Sequence, residues 1–394
     1  MNMIIMKMRS AKSQHGFTLL ELMIASFIGI LVMAAMTSMF RVAMNTMLTV
    51  TQRAETQQNL RAGIDMMTKD ISLAGSGLPT GGLQLAAATQ TKFACNQGGT
   101  CYLTNHFYPL SSAGTINYMY GILPGFNNGV ENGVVIPNAP GAVNDSITSI
   151  YCDYNFPLTN FAFTFNAAGT AATVGPAATI VPGLPTNILA PGGLVVGDLM
   201  LFVVNTAGNG KTNQGTSYAQ TAAAVGEITG LPDNVDIDFA TADPLNFNQS
   251  AATPNSLANA VAAINNATNS ITACRLNAVT YFLEVPVAGA TGQTPRLMRQ
   301  VNGGNAVPVA DNIINLQLSY DVINSNLGTI DANRSDPIGF GDSPALIQKV
   351  NMWVMAEGLQ TTKTTSQSMY LASSASTRNM SFCNSLSSAT KVCQ

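Results

Sequence analysis

Charge is scarce in this chain. Of its 394 residues only 9% are Asp, Glu, Lys or Arg, against roughly 25% in an average soluble globular protein. The formal net charge of −3 comes from 17 basic and 20 acidic residues. No long run of either sign occurs, so the basic footprint that tracks a phosphate backbone is missing and nucleic acid is not an expected partner. Histidine is scarcer still, with only His15 and His106, far apart. That excludes zinc sites built on paired histidines and the H-E-x-x-H metalloproteases. The six cysteines, Cys95, Cys101, Cys152, Cys274, Cys383 and Cys393, include no C-x-x-C pair, which counts against a zinc ribbon or a thioredoxin-like site. An even number of scattered cysteines suits disulfides in an oxidising compartment.

Apolar residues are plentiful at 46%, so the chain can bury a large core and is not a disordered tail. Lys7, Arg9, Lys12 and His15 precede an apolar run from Phe17 to Phe40 that Glu21 alone interrupts with a charge. Those 24 residues make a helix of about 36 Å, enough to cross a hydrocarbon core of roughly 30 Å. Basic residues before the run place the N-terminus in the cytoplasm and the bulk of the chain on the far side. The evident processing signal, Gly16-Phe17, precedes the run, so cleavage there leaves the anchor in place. A carboxylate inside a membrane segment needs a compensating partner. After cleavage, the new amine of Phe17 lies one helical turn from Glu21 and is the nearby cation.

The stretch Gly16-Phe17-Thr18-Leu19-Leu20-Glu21-Leu22-Met23-Ile24 resembles the G-F-T-L-x-E-x-x-[VI] prepilin signal of type IV pilins and type II secretion pseudopilins. The resemblance implies that a prepilin peptidase cuts after Gly16, that Phe17 is N-methylated, and that Glu21 is the carboxylate that pairs with an N-terminal amine during filament assembly. Where major pilins often carry a proline in this helix the chain has Ser38, which leans away from the major subunit.

Helical character continues without proline over residues 41–74. Leu60, Ile64, Met67 and Ile71 share one face, while Arg61, Asp65 and Lys69 form an i,i+4 ladder on another. Ala74-Gly75-Ser76-Gly77-Leu78-Pro79 ends the helix, with glycine at the cap and proline unable to continue. From Phe17 to Ala74 there are 58 residues, about 87 Å of helix, a stalk that resembles that of pilins. Thereafter the texture turns to Ala, Gly, Thr, Asn and Pro, with short strand-like runs between turn signals. Leu199–Val204, Val279–Val285, Ile314–Val322 and Val350–Met355 are the candidate strands. Residues 251–273 read equally as helix or loop, and no tandem repeat is evident.

Three later features resemble PilW-type minor pilins. They are Asp70-Ile71-Ser72-Leu73-Ala74-Gly75, the set Tyr281, Leu297-Met298-Arg299 and Ala310 to Tyr320, and Ser376-Thr377-Arg378-Asn379. The implied fold class is α+β, a long N-terminal transmembrane helix packed on a large, mainly β C-terminal head. The expected segments are a leader at 1–16, a transmembrane and filament-core helix at 17–40, its amphipathic extension at 41–74, and an exported head at 75–394.

Candidate chemistry is thin. Gly210-Lys211-Thr212 resembles the end of a phosphate-binding loop, but position 205 is Asn205 where the first glycine belongs, so a surface hairpin is preferred. Asp233, Asp236, Asp238 and Asp243, and separately Asp331, Asn333 and Asp336, lack the calcium-loop pattern and read as solvated faces. Nothing around His106 resembles a nucleophile elbow, so no enzyme, cofactor or metal is expected. Six cysteines allow fifteen pairings. The short spans Cys95–Cys101 and Cys383–Cys393 suggest two local loops, which leaves Cys152 with Cys274; a disulfide loop at the C-terminal end resembles the exposed edge region of type IV pilins.

The resemblance implies a minor pilin, stored in the inner membrane with a periplasmic head and extracellular once assembled, that joins a tip or initiation complex for adhesion and motility. Its implied partners are other minor and major pilins, the prepilin peptidase and a tip adhesin. A type II secretion minor pseudopilin, or a tip adhesin itself, is the alternative.

Overall fold

The computed structural model describes residues 16–79, 82–86, 89, 118–126, 130–131, 144–206, 220–241, 243, 246–266, 269–284, 295–302, 304–324, 329–337, 342–358 and 367–377. The chain divides into two units, Met1–Glu55 and Thr56–Gln394. One helix, α1, runs Leu19–Leu73 through a stretch free of proline. In the first unit its large apolar side chains stand exposed, from Leu19 and Phe27 to Phe40 and Val50. The helix is long and apolar enough to cross a membrane.

The second unit is mainly β. Its first strands are β1 (Leu83–Gln84), β2 (Tyr118–Met119), β3 (Ile122–Gly125), β4 (Val130–Glu131) and β5 (Ser146–Cys152). Then come β6 (Phe161–Phe165), β7 (Ala171–Pro176), β8 (Leu199–Thr206), β9 (Gln220–Glu227) and β10 (Asp236–Asp238). A short helix, α2 (Leu257–Ile264), precedes β11 (Asn269–Glu284), β12 (Arg296–Val301), β13 (Val307–Ala310) and β14 (Ile313–Ile323). The last three are β15 (Ile330–Arg334), β16 (Ile347–Gly358) and β17 (Gln367–Ser376).

Strand β11 is the spine of an eight-stranded sheet. Its first half pairs with β8 and its second half with β5 on one edge and β12 on the other, all antiparallel. A second sheet runs β15-β14-β16-β17. The second sheet follows a two-residue alternation, as in β14, where Leu316, Leu318, Tyr320 and Val322 point inward and the residues between them do not, whereas β3 and β5 of the large sheet are buried on both faces. From Thr56 onward the face of α1 carrying Leu60, Ile64, Met67 and Ile71 is buried in the same core as Tyr281, Leu297, Leu316, Tyr320 and Val354. Each such apolar side chain contributes roughly 1.5–3 kcal/mol. Arg61, Asp65 and Lys69 remain exposed. The architecture is α+β.

Two glycines set the fit. A Cβ on Gly63 would stand 3.1 Å from Leu297 Cδ2, so a bare backbone lets α1 lie close to the sheet. Gly77 has φ +78°, and a Cβ there would meet the sulfur of Cys152. Between them the chain leaves the helix and joins β5, Gly75 N–H donating to Ile150 O at 2.8 Å and Cys152 N–H to Ser76 O at 2.8 Å.

Residues 251–273 hold α2 and the start of β11. Ser256 caps α2, its hydroxyl accepting from Asn259 N–H. Leu257, Val261 and Ile264 turn into a second core with Phe163, Phe165, Phe202 and Phe239, whose rings meet at 5.1–6.1 Å.

Candidate functional site

Gly16 and Phe17 lie ahead of the first turn of α1, and Phe17 is 87% exposed. Thr18 and Glu21 close that turn on each other. The Thr18 N–H and hydroxyl both donate to Glu21 Oε2 at 3.0 Å, and Glu21 N–H donates to Thr18 Oγ1 at 3.3 Å. This reciprocal arrangement is a capping box. The spacing T-x-x-E signals it, and a reading of the same residues as a processing signal passes over it. Further along, the hydroxyls of Ser26, Thr37 and Ser38 donate back to the carbonyls of Leu22, Met33 and Ala35 at 2.6–2.8 Å. A side-chain hydroxyl satisfied within its own helix does not oppose an apolar environment.

At the other end of α1 a buried aspartate gathers four partners, three on its carboxylate and one on its backbone carbonyl. Asp70 sits beside Ile71 on the inward face and is 4% exposed. Its Oδ1 accepts from Tyr151 Oη at 2.7 Å, and its Oδ2 accepts from Tyr281 Oη at 2.6 Å and from Arg299 Nε at 2.8 Å. The Asp70 carbonyl accepts from Ser149 Oγ at 2.6 Å. The sheet presents these groups together because Tyr281 pairs with Arg299 across β11 and β12, while Ser149 and Tyr151 alternate onto the same face of β5. Burial first, then the Asp70 charge and hydrogen bond, push both phenols well above the usual tyrosine range, so they stay protonated and donate. Burial works against the Arg299 charge, but the hydrogen bond and attraction of Asp70 outweigh it and hold the guanidinium above its ordinary value.

Asp70 belongs to one PilW-like stretch of the sequence and Tyr281 and Arg299 to another, and the fold brings the three to one point. Tyr151 and Ser149 carry no such signal. The cue for the cluster is a carboxylate three residues from Met67 on an apolar helix face, a position that demands partners.

Residues 11–37 match a family described as the prokaryotic N-terminal methylation motif. The N-terminus is prepilin-type. No curated protein and no solved structure matches the chain. The motif and the apolar helix behind it fit a membrane-anchored protein of the type IV pilin and pseudopilin type.

The remaining candidates are structural where they are described. A disulfide joins Cys152 to Cys274, Cα to Cα 5.7 Å, tying β5 to β11. Beside it Arg275 pairs with Asp153, donates to Gly193 O at 2.7 Å, and reaches Asp198 Oδ2 at 3.4 Å. Asp233 and Asp243 spend their carboxylates on backbone N–H groups of residues just ahead of them, and Asp236 accepts from Thr173. Asp331 pairs with Arg334 at 2.8 Å, and Asn333 donates its N–H to Asp321. Among the described residues no group of three His, Cys, Asp or Glu could hold a metal. The cysteines at 95, 101, 383 and 393, His15, His106, Gly210-Lys211-Thr212 and Arg378-Asn379 lie outside the described residues.

Proposed function

We propose that this chain is a minor, PilW-like type IV pilin that joins the tip or initiation complex of a filament through its N-terminal helix. The observation that carries the reading is the prepilin-type motif at residues 11–37, continued by an exposed apolar helix. The convergence of Asp70, Tyr281 and Arg299 supports the PilW-like assignment, since stretches that resemble that family separately form one contact.

In this reading residues 1–16 are a leader cut after Gly16, Phe17 carries the methyl group, and residues 17–40 anchor the subunit and later line the filament core. Glu21 then exchanges its Thr18 cap for the amine of Phe17, its own or a neighbour's, and so sets the register of one helix against the next. Removal of Lys7, Arg9 and Lys12 leaves 14 basic against 20 acidic residues, which disfavours a DNA-binding role. Residues 75–394 form the exported head. A head of that size is easier to house at a filament end than at every position of a packed shaft, and its role is structural rather than catalytic. The test is affinity purification of the processed protein with mass spectrometry of what accompanies it. Recovery with other minor pilins supports the reading, and recovery with subunits of a type II secretion system in their place moves the chain to the pseudopilins.

A further inference from the structure

We propose that the outward face of the β15-β14-β16-β17 sheet binds a neutral oligosaccharide, with Trp353 and Tyr370 as its stacking platform. One face of this sheet is core and the other faces water. On the outer face stands the only tryptophan of the chain, half-buried on β16. Tyr370, on the neighbouring β17, lies near-parallel to it, with an interplanar angle of 27° and ring centroids 6.2 Å apart. An aromatic pair across two strands ordinarily stabilises a sheet through the area it buries. Tyr370 leaves 71% of its surface to solvent, so burial accounts for little of its position.

The surroundings decide the ligand class. Directly across from Trp353 stand Ala372, too small to cover the indole, and Gln317, a planar amide that donates to Asn315 Oδ1 at 3.1 Å. One row further on, Asn351 donates its amide to Asp321 Oδ1 at 3.0 Å. The Asp321 charge is balanced by Lys349 at 2.8 Å. The face therefore joins flat apolar rings to amide groups and carries no net charge at this point. A pyranose has the same composition in reverse: one face of C–H groups to lie on an aromatic ring, and a rim of hydroxyls to exchange hydrogen bonds with amides and carboxylates. A phosphate or an acidic polymer needs an uncompensated cation, and Lys349 is engaged. A docked protein segment needs a contiguous apolar patch of some hundreds of Å²; here Met355 stands across from Tyr370, but Gln317 and Asn351 flank Trp353 and interrupt the apolar surface.

The inference goes beyond the assembly role and does not rest on it. Because Trp353 is the single indole, its fluorescence reports on this face alone. The experiment uses the full chain in a zwitterionic detergent free of sugar headgroups. It is titrated to roughly millimolar levels with neutral hexasaccharides of glucose, galactose, mannose and N-acetylglucosamine, and with polygalacturonate as the acidic control. A saturable emission change with at least one neutral sugar, weakened tenfold or more in Tyr370→Ala at an unchanged melting temperature, is the expected result. Absence of saturation with every neutral sugar, a response that Tyr370→Ala leaves intact, or saturation by polygalacturonate alone overturns the proposal. Assembly measured in the same Tyr370→Ala strain reads out the pilin role separately, and it should be normal.

Discussion

Arg299 donates its Nε–H to Asp70 Oδ2 at 2.8 Å across a sequence separation of 229 residues. The pair fastens the last turns of α1 to the centre of the large sheet, and two phenols complete it. Breaking a buried ion pair by removing one partner leaves the other charge uncompensated, which costs about 3–5 kcal/mol, whereas replacing both by apolar groups is often near neutral. Asp70→Ala should therefore destabilise the second unit by about 3 kcal/mol, the low end because Arg299 keeps some contact with water. Asp70→Leu combined with Arg299→Met should recover most of that loss. Urea unfolding of the three proteins checks this, and additive losses in the double variant would show that the two residues act independently.

The tyrosines of the same cluster make an alkaline prediction. Both phenols have folded pKa values raised above the ordinary ~10. Their contribution is fully present below pH ~10 and declines above it, because the unfolded chain releases protons that the folded one holds. Melting temperature should thus fall more steeply between pH 9 and 11 in the parent than in Tyr151→Phe/Tyr281→Phe, when compared by calorimetry. Equal slopes would mean that the phenols are not held protonated.

How much of this is legible in the sequence depends on the range of the contact. The α1 helix, the apolar row Leu60 to Ile71, and the strands around residues 199–204, 279–284, 314–322 and 350–355 follow from periodicities of three to four or of two, which neighbouring residues carry themselves. The Thr18–Glu21 box is equally local. The partners of Asp70 come from three strands whose separations from it run from 79 to 229 residues, and no spacing rule reaches that far. Helix α2 is ambiguous for another reason: eight residues rich in alanine show too little period to separate it from a loop, and only the phenylalanine core beneath decides.

Glu21→Val removes both the cap on Thr18 and the charge. An ionised carboxylate in this run costs about 2.5–3.5 kcal/mol on insertion scales, so the membrane-stored subunit should be as abundant as the parent. Cleavage should also be normal. Co-purification with other pilins should be lost, because the carboxylate we propose to meet an amine during assembly is gone. Full co-purification and normal piliation of this strain would make Glu21 a bystander.

The Cys152–Cys274 bond closes a sequence separation of 122 residues. Replacing both cysteines by serine should cost about 2–5 kcal/mol, read as a lower urea midpoint under non-reducing conditions. Peptide mapping without reduction should recover the two linked to each other. Linkage of either to a different cysteine would contradict the pairing.

The most direct measurement is the intact mass of the protein taken from its native membrane. A mass corresponding to a chain that begins at Phe17 and carries one added methyl group is the expected result, and Gly16→Asp should abolish it and leave the precursor uncut. A chain that still begins at Met1 in a membrane with active prepilin peptidase would contradict the pilin reading.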